Sequence, residues 1–212
     1  MEKDNKSSRK ELNKEKVIKV ALSFFVKYGI EMSKISEIGK AAGLTERSVF
    51  RYFETKNNLV LATALLFWKK AVKNIEEKMD LTMDAKLSGI EQVRFVLSLY
   101  AELYFSSKEE LIFCDEAETY LNRTGKIILL KNRPPLNFLE SNEPLARAIK
   151  NGIEDGTIKN REEICFIYSN TYDSLLGFLQ KMALSNELMS DEVAKIRLNL
   201  FVDSIIGIYK TI

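Results

Sequence analysis

Apolar residues recur at helical spacing along most of this 212-residue chain. Between Arg9 and Tyr28 they follow the pattern i, i+3, i+4, i+7, i+8 and i+11, which places them on one face of a helix. These residues are Val17, Val20, Ala21, Phe24, Phe25 and Tyr28. Proline occurs only 3 times and glycine 9 times, and no segment alternates with the period of a strand. The sequence therefore predicts an all-α fold of about nine helices.

The predicted helices follow one another with short breaks. After the first helix, two short helices precede a longer fourth helix from Lys56 to about Met79. Further helices are expected at about 84–106, 109–123, 142–155, 160–184 and 189–210. The segment from Asn132 to Pro135 and the Asp155-Gly156 pair are the clearest breaks between them.

The composition excludes several kinds of chemistry. The chain has no histidine, so it lacks the commonest general base and the usual nitrogen ligand of zinc. Cys114 and Cys165 are too far apart for a CxxC motif, and both a pair of buried thiols and a disulfide remain open. We predict no catalytic residue, no metal and no cofactor. Without an apolar leader or a membrane-spanning run, we expect a cytoplasmic protein that does not contact a membrane.

Positive charge is concentrated at the N-terminus. Residues 1–56 contain 13 basic and 8 acidic residues, whereas residues 57–212 contain 19 basic and 22 acidic residues. A basic N-terminal segment on a slightly acidic body is typical of a polyanion-binding module attached to a second domain. We therefore predict two domains, residues 1–56 and residues 57–212.

Turn and capping residues divide the basic segment into short helices. Gly29 is expected to end the first helix, and Ser33 to cap a second helix that ends at Gly43. Thr45 is expected to cap the third helix and Thr55 the fourth. Two short helices joined by about four residues that include glycine form the helix-turn-helix pattern.

The third helix has the two faces that a DNA-reading helix needs. Val49 and Phe53 lie four residues apart, so we expect them to pack against the core. The opposite side is then available to the major groove, where exposed side chains can reach base edges. It carries Thr45, Arg47, Ser48, Arg51 and Tyr52.

These segments closely resemble the DNA-binding domain of the TetR family of repressors. The resemblance rests on SKISEIGKAAGLT (33–45), FRYFETKNNL (50–59) and the preceding FFVKYG (24–29). Gly39, Phe50 and Asn58 depart from the residues that the family usually has at these positions. The stretch from Pro144 to Lys159 resembles the helix and turn that lead into the family's last two helices.

The resemblance implies roles for individual residues. Thr45, Arg47 and Ser48 would lie at the groove-facing start of the recognition helix, where the Arg47 guanidinium suits a guanine edge. Tyr52 and Lys56 would contact phosphates, and the Ser33 hydroxyl could donate to another. Arg51 completes the set of DNA-binding candidates. The DNA would be a double-stranded palindromic operator, read by a homodimer.

The C-terminal body is expected to bind a ligand and to form the dimer. Its many aromatic residues suit an apolar pocket for a small hydrophobic ligand. The pocket candidates are Phe67, Phe95, Tyr104, Phe113 and Phe166. The candidates for the dimer interface, on the last two helices, are Tyr172, Leu175, Leu179, Leu200, Phe201, Ser204 and Ile208. Ligand binding would release the repressor from DNA by favouring a conformer that DNA does not bind.

Two other classes of protein remain open. The first is a helical-bundle enzyme with a metal held by Asp115, Glu116 and Glu118, but neighbouring acids on a helix do not face one ligand. The second is a helical ligand carrier with no role on DNA. Sequence-specific DNA binding separates the regulator from both.

Overall fold

The computed structural model describes residues 2–82, 87–124, 137–185 and 189–210. These ranges contain ten helices and no strand, which confirms the all-α prediction. The helix beyond the expected nine is a four-residue turn of helix, α6. In chain order the helices are α1 (Glu2–Met32), α2 (Ile35–Ala41), α3 (Glu46–Phe53), α4 (Lys56–Thr82), α5 (Gly89–Ala101), α6 (Leu103–Ser106), α7 (Lys108–Arg123), α8 (Pro144–Glu154), α9 (Ile164–Leu184) and α10 (Asp191–Lys210).

The helix limits agree with the sequence to within a few residues. The helix expected at 84–106 is divided into α5 and α6, with Glu102 between them. Its expected first residues, 84–86, and the break at Asn132–Pro135 lie outside the described residues. Within the described ranges, no helix combines the length and apolar character that a membrane span requires.

Two compact units divide the chain. One comprises Met1–Trp68 and Ile112–Leu129, and the other comprises Lys69–Leu111 and Leu130–Ile212. The first unit therefore contains α1 to α3, the beginning of α4 and most of α7. The second contains the end of α4, the beginning of α7, and α5, α6, α8, α9 and α10. The boundary at residue 56 that the charge distribution predicted remains a prediction.

The first unit is built around the buried face of α1. Val17, Ala21 and Phe25 repeat every four residues and are inaccessible to solvent. The Phe25 ring stacks on Phe113 of α7, with 5.6 Å between the ring centroids and 10° between the planes. Gly29 has φ 75°, which interrupts α1 and redirects its last residues towards α2.

The second unit depends on a close crossing of α5 and α8. A Cβ atom on Gly89 would lie 2.0 Å from the backbone nitrogen of Gly152 and 2.1 Å from its Cα. The Gly89 N–H donates to the Asp155 carboxylate over 2.6 Å, and the Ile90 N–H donates to the Thr157 hydroxyl over 3.1 Å. The turn after α8 thus satisfies two amides in the first turn of α5, where a helix has no internal acceptors.

Candidate nucleic-acid interface

Two glycines and two threonines shape the helix-turn-helix. Gly43 ends α2 with φ 69°, a conformation that side chains bearing a Cβ rarely adopt. The Thr45 hydroxyl accepts from the Ser48 N–H over 3.2 Å, and the Thr55 hydroxyl accepts from the Asn58 N–H over 3.1 Å. The predicted caps of α3 and α4 are confirmed, and they fix where the third helix begins and where the fourth begins.

Gly39 lets α2 approach α3 closely. A Cβ atom here would lie 3.2 Å from the Val49 side chain and 3.3 Å from the Leu44 carbonyl oxygen. Alanine, the family's usual residue here, would fit only if these neighbours moved by a few tenths of an ångström. The departure at Gly39 therefore has a packing reason, since the two helices meet here with almost no space between them.

The third helix presents one face to the core and the other to solvent. Val49 and Phe53 are buried, as their spacing predicted. Thr45, Arg47 and Arg51 are exposed, while Ser48 and Tyr52 are half-buried. Phe50 is also on the surface, with 41% of its area exposed. The exposed side therefore carries two guanidinium groups and short hydroxyl side chains, which are suited to base edges and phosphates.

Tyr52 is held by a residue of α1 and by its neighbour in α3. The Asn13 amide of α1 donates to its hydroxyl oxygen over 3.3 Å, and the Arg51 guanidinium lies 5.4 Å from its ring centroid. The hydrogen bond from Asn13 lowers the pKa of the Tyr52 hydroxyl, aided by the nearby charges of Arg51 and Lys10. With the oxygen already accepting a bond, the hydroxyl hydrogen remains available to an anion.

Ser33 does not have the local role that the sequence suggested. Lys34 precedes α2 as its N-terminal cap residue, without a side-chain bond to the helix. The prediction that Ser33 caps α2 is therefore wrong. The Ser33 side chain is buried and donates to the Gly29 carbonyl over 2.7 Å, so its hydrogen is used inside the protein. The sequence favoured a cap because it does not show that Gly29 turns its carbonyl towards Ser33.

Lys56 is also engaged at the end of α1. Its ammonium donates to the Glu31 carbonyl over 3.1 Å, and partial burial lowers the pKa of the amine. The carboxylates of Glu31 and Glu116 act in the opposite direction by favouring the charged form. Lys56 therefore ties the first turn of α4 to the last residues of α1.

The α1–α2 corner is bound to α7 through Glu116. The Ile30 N–H donates to the Glu116 carboxylate over 2.7 Å, directly after the kink at Gly29. The kink leaves this amide without a helical acceptor, and the carboxylate replaces it. Glu116 was considered from sequence only as a metal ligand. The described residues contain no group of three or more acidic or cysteine side chains placed to hold a metal ion.

The aromatic pocket candidates lie in different parts of the fold. Phe67 and Phe113 belong to the first unit, and Phe95, Tyr104 and Phe166 to the second. Phe113 and Tyr104 are almost fully buried, whereas 71% of Phe166 is exposed. Their role in binding a ligand remains a prediction.

A buried polar cluster in the second unit was missed at the sequence level. Glu143 is the one charged side chain of the described residues that is buried. Its carboxylate accepts from the hydroxyls of Tyr168, over 2.7 Å, and Tyr172, and from the Ala146 N–H over 3.1 Å. Burial nevertheless raises the pKa of Glu143 above its ordinary value. The sequence shows only that Glu143 directly precedes Pro144, and a proline is common at the first position of a helix.

The dimer candidates divide between a buried and an exposed set. Tyr172, Leu175 and Leu179 of α9 are buried within the single chain, so a partner could reach them only after repacking. On α10, Leu200, Ser204 and Ile208 are exposed, and Phe201 stacks on Phe178 with 4.2 Å between ring centroids. An exposed set with helical spacing extends along α9 and α10, comprising Phe166, Leu184, Val193, Ile196, Leu200 and Ile208.

The fold and the exposed face of α3 define a helix-turn-helix whose exposed side is suited to DNA. Residues 17–63 match the family described as bacterial regulatory proteins, tetR family. This match assigns a tetR-type DNA-binding module to residues 17–63, and the chain as a whole shares its all-α fold with solved structures of TetR-family regulators. Comparison with curated proteins finds no match.

Solved structures of regulators have the same fold at low sequence identity. A putative TetR-family transcriptional regulator from Mesorhizobium loti is 15% identical, with a TM-score of 0.69, and the match covers 96% of this chain and 99% of that one. The fatty acid degradation regulator FadR from Bacillus halodurans is 15% identical, with a TM-score of 0.66 and coverage of 93% and 94%. FadR from Bacillus subtilis, in complex with stearoyl-CoA, is 16% identical, with a TM-score of 0.59 and coverage of 92% and 97%.

Proposed function

We propose that this protein is a homodimeric repressor that acts in the cytoplasm and is released from a palindromic DNA operator by a small hydrophobic ligand. The observation that carries the proposal is the division of α3 into a buried side and a basic, hydroxyl-rich exposed side. A helix of this kind enters the major groove and contacts base edges near its start.

Arg47 and Thr45 are the proposed base-reading residues. Both are exposed at the first turn of α3, and Arg47 makes no ion pair among the described residues. An unpaired guanidinium can form two hydrogen bonds to guanine. Tyr52 and Arg51 are the proposed phosphate contacts on the same helix. Lys56 is proposed to contact a phosphate only if its bond to the Glu31 carbonyl is exchanged for one to DNA.

The proposed dimer uses the exposed apolar set on α9 and α10. Ile196 and Leu200 are each more than half exposed in the single chain. Large apolar side chains at helical spacing on a surface are typical of an interface between subunits. A two-fold pair of subunits would place two recognition helices on two halves of a palindrome. Leu200→Glu should convert the dimer into a monomer in sedimentation experiments, whereas a dimer that persists would exclude this face.

Two helices are proposed to couple ligand binding to DNA binding. Both α4 and α7 belong partly to each compact unit. In the first unit, α7 holds the α1–α2 corner through Glu116, and Lys56 of α4 holds the end of α1. A ligand that shifts either helix would therefore act on the residues next to the helix-turn-helix.

An apolar ligand is supported by one structural relative. The Bacillus subtilis regulator of the same fold was solved with stearoyl-CoA, a molecule with a long acyl chain. For this chain, acyl-CoA esters of increasing length are therefore the first ligands to test. The test measures whether each releases the protein from DNA recovered by selection from a random pool. Recovery of no common sequence would contradict the proposed repressor function.

A further inference from the structure

A cleft next to the recognition helix is lined by basic residues of α1. It has a volume of about 530 Å³ and lies between Arg9, Lys10 and Asn13 of α1 and Arg51 and Tyr52 of α3. Three of these five side chains are cationic and none is acidic. Glu11, the acidic residue beside them, pairs with Lys14 over 3.2 Å and does not line the cleft.

The polar groups of the cleft are arranged to donate hydrogen bonds. Asn13 donates its amide hydrogen to the Tyr52 hydroxyl oxygen, which leaves the hydroxyl hydrogen to point elsewhere. Arg9 and Lys10 are exposed and form no ion pair among the described residues. Unpaired cations and a free hydroxyl hydrogen around one concavity favour an anion with several acceptor oxygens.

We propose that this cleft binds the DNA phosphate backbone beside the groove that α3 enters, so that Arg9 and Lys10 are DNA-contacting residues and Asn13 positions Tyr52. The inference rests on the proposed DNA binding of α3 and extends the interface to α1. DNA is favoured over a free phosphate ion because the cations are spread over two helices. They also continue the exposed basic side of α3, as expected for a surface that follows a strand.

The test compares charge removal inside and outside the cleft. The duplex is the sequence that the full-length wild-type protein selects from a random pool, and affinity is measured by fluorescence anisotropy over a range of salt concentrations. The double variant Arg9→Gln, Lys10→Gln should reduce the slope of log affinity against log salt by about one unit for each lost contact in each bound protomer. The control Lys14→Gln removes a charge from the same helix and should retain the wild-type slope.

A second readout separates backbone contacts from base reading. The double variant should lose the same fold in affinity for the selected duplex and for a scrambled duplex, because phosphates carry no sequence. Arg47→Ala should instead lower the preference for the selected sequence. Asn13→Ala should weaken binding only while Tyr52 keeps its hydroxyl. In a Tyr52→Phe background it should have no further effect, whereas a purely structural role would remain visible.

Neutral phosphates locate the contact on the DNA. Methylphosphonates at the contacted positions beside the selected sequence should weaken DNA binding by the wild-type protein. The same substitutions should leave the affinity of the double variant unchanged. The cleft contact would be overturned if the double variant kept the wild-type salt slope, or if Lys14→Gln reduced that slope as much as the double variant does. Either result would leave the proposed function of α3 intact. Failure of the wild-type protein to select any sequence would overturn both.

Discussion

In the second unit, the packing of α5 against α8 is tested most sharply by Gly89→Ala. In Gly89→Ala, the new methyl group would lie 2.0 Å from a backbone nitrogen and 2.1 Å from a Cα atom of Gly152. Both atoms belong to the main chain of α8, so no side-chain rotation relieves the overlap. The helices must separate, which also lengthens the bond from the Gly89 N–H to Asp155.

The expected cost lies at the upper end of the range for overpacked cores, about 3 kcal/mol. For a chain of this length, that corresponds to a fall in the melting temperature of roughly 6–12 °C. Urea denaturation followed by circular dichroism measures the free energy of unfolding, and a thermal scan measures the melting temperature. The slope of the urea transition should stay unchanged if only the folded state is affected.

Gly177→Ala is the matched control. Gly177 is in α9, and a Cβ atom there would meet nothing within 4 Å in the single chain. Alanine should therefore stabilise the helix by about 0.5–1 kcal/mol. A Gly89→Ala protein that unfolds within about 1 kcal/mol of the wild type would refute the close crossing, because a real overlap of this kind cannot be absorbed so cheaply.

Three further substitutions test individual contacts. Glu54, between α3 and α4, has φ 64°, so Glu54→Gly should raise the free energy of unfolding, measured in urea, by up to about 1 kcal/mol. A lower free energy of unfolding in the variant would show that the backbone at Glu54 is not strained. Glu116→Ala leaves the Ile30 N–H unpaired and should cost about 1.5–3 kcal/mol, whereas Glu109→Ala on the exposed side of α7 should cost little. Burial raises the pKa of Glu143 in the folded state, so the folded protein binds this proton more tightly than the unfolded chain does. The stability that results is fully present below about pH 4.5 and is lost as pH rises through the folded pKa of Glu143. Unfolding free energies measured against pH should therefore favour Glu143→Gln progressively at higher pH, and a constant difference would contradict the assignment.

Local signals were sufficient for the buried face of α1 and for the first residues of α3 and α4, although not for the cap of α2. The four-residue spacing of Val17, Ala21 and Phe25 predicted the buried face of α1 because it depends only on helical geometry. The caps at Thr45 and Thr55 were predictable for the same reason, since each bonds within three residues of itself.

Contacts between distant segments were not predictable from one sequence. The bond between Ile30 and Glu116 joins residues that are 86 positions apart, and nothing near either residue indicates it. The approach of Gly89 to Gly152 is similar, because a glycine alone does not show which backbone lies against it. In α9 the most apolar stripe is buried in the single chain, and hydrophobicity alone does not show whether Leu175 and Leu179 contact their own subunit or a partner.

In the candidate site, too, the local features were predictable from the sequence and the contacts between helices were not. Exposure of Arg47 and burial of Val49 followed from their positions on one short helix. The part played by α1 was missed because Arg9, Lys10 and Asn13 gain meaning only when they are placed beside Tyr52. The sequence shows their charge but not the helix that they face.

Selection of DNA by the full-length protein measures whether the protein reads a palindromic sequence through α3. The protein is incubated with a random duplex pool, and the bound fraction is amplified and sequenced through several rounds. A two-fold dimer that reads DNA through α3 should select an inverted repeat whose two halves are separated by one helical turn or a multiple of it. Arg47→Ala should weaken binding to that repeat by about 1–3 kcal/mol per base contact. An enriched sequence without two-fold symmetry would contradict the two-fold dimer, and an Arg47→Ala protein with unchanged sequence preference would contradict base reading by α3.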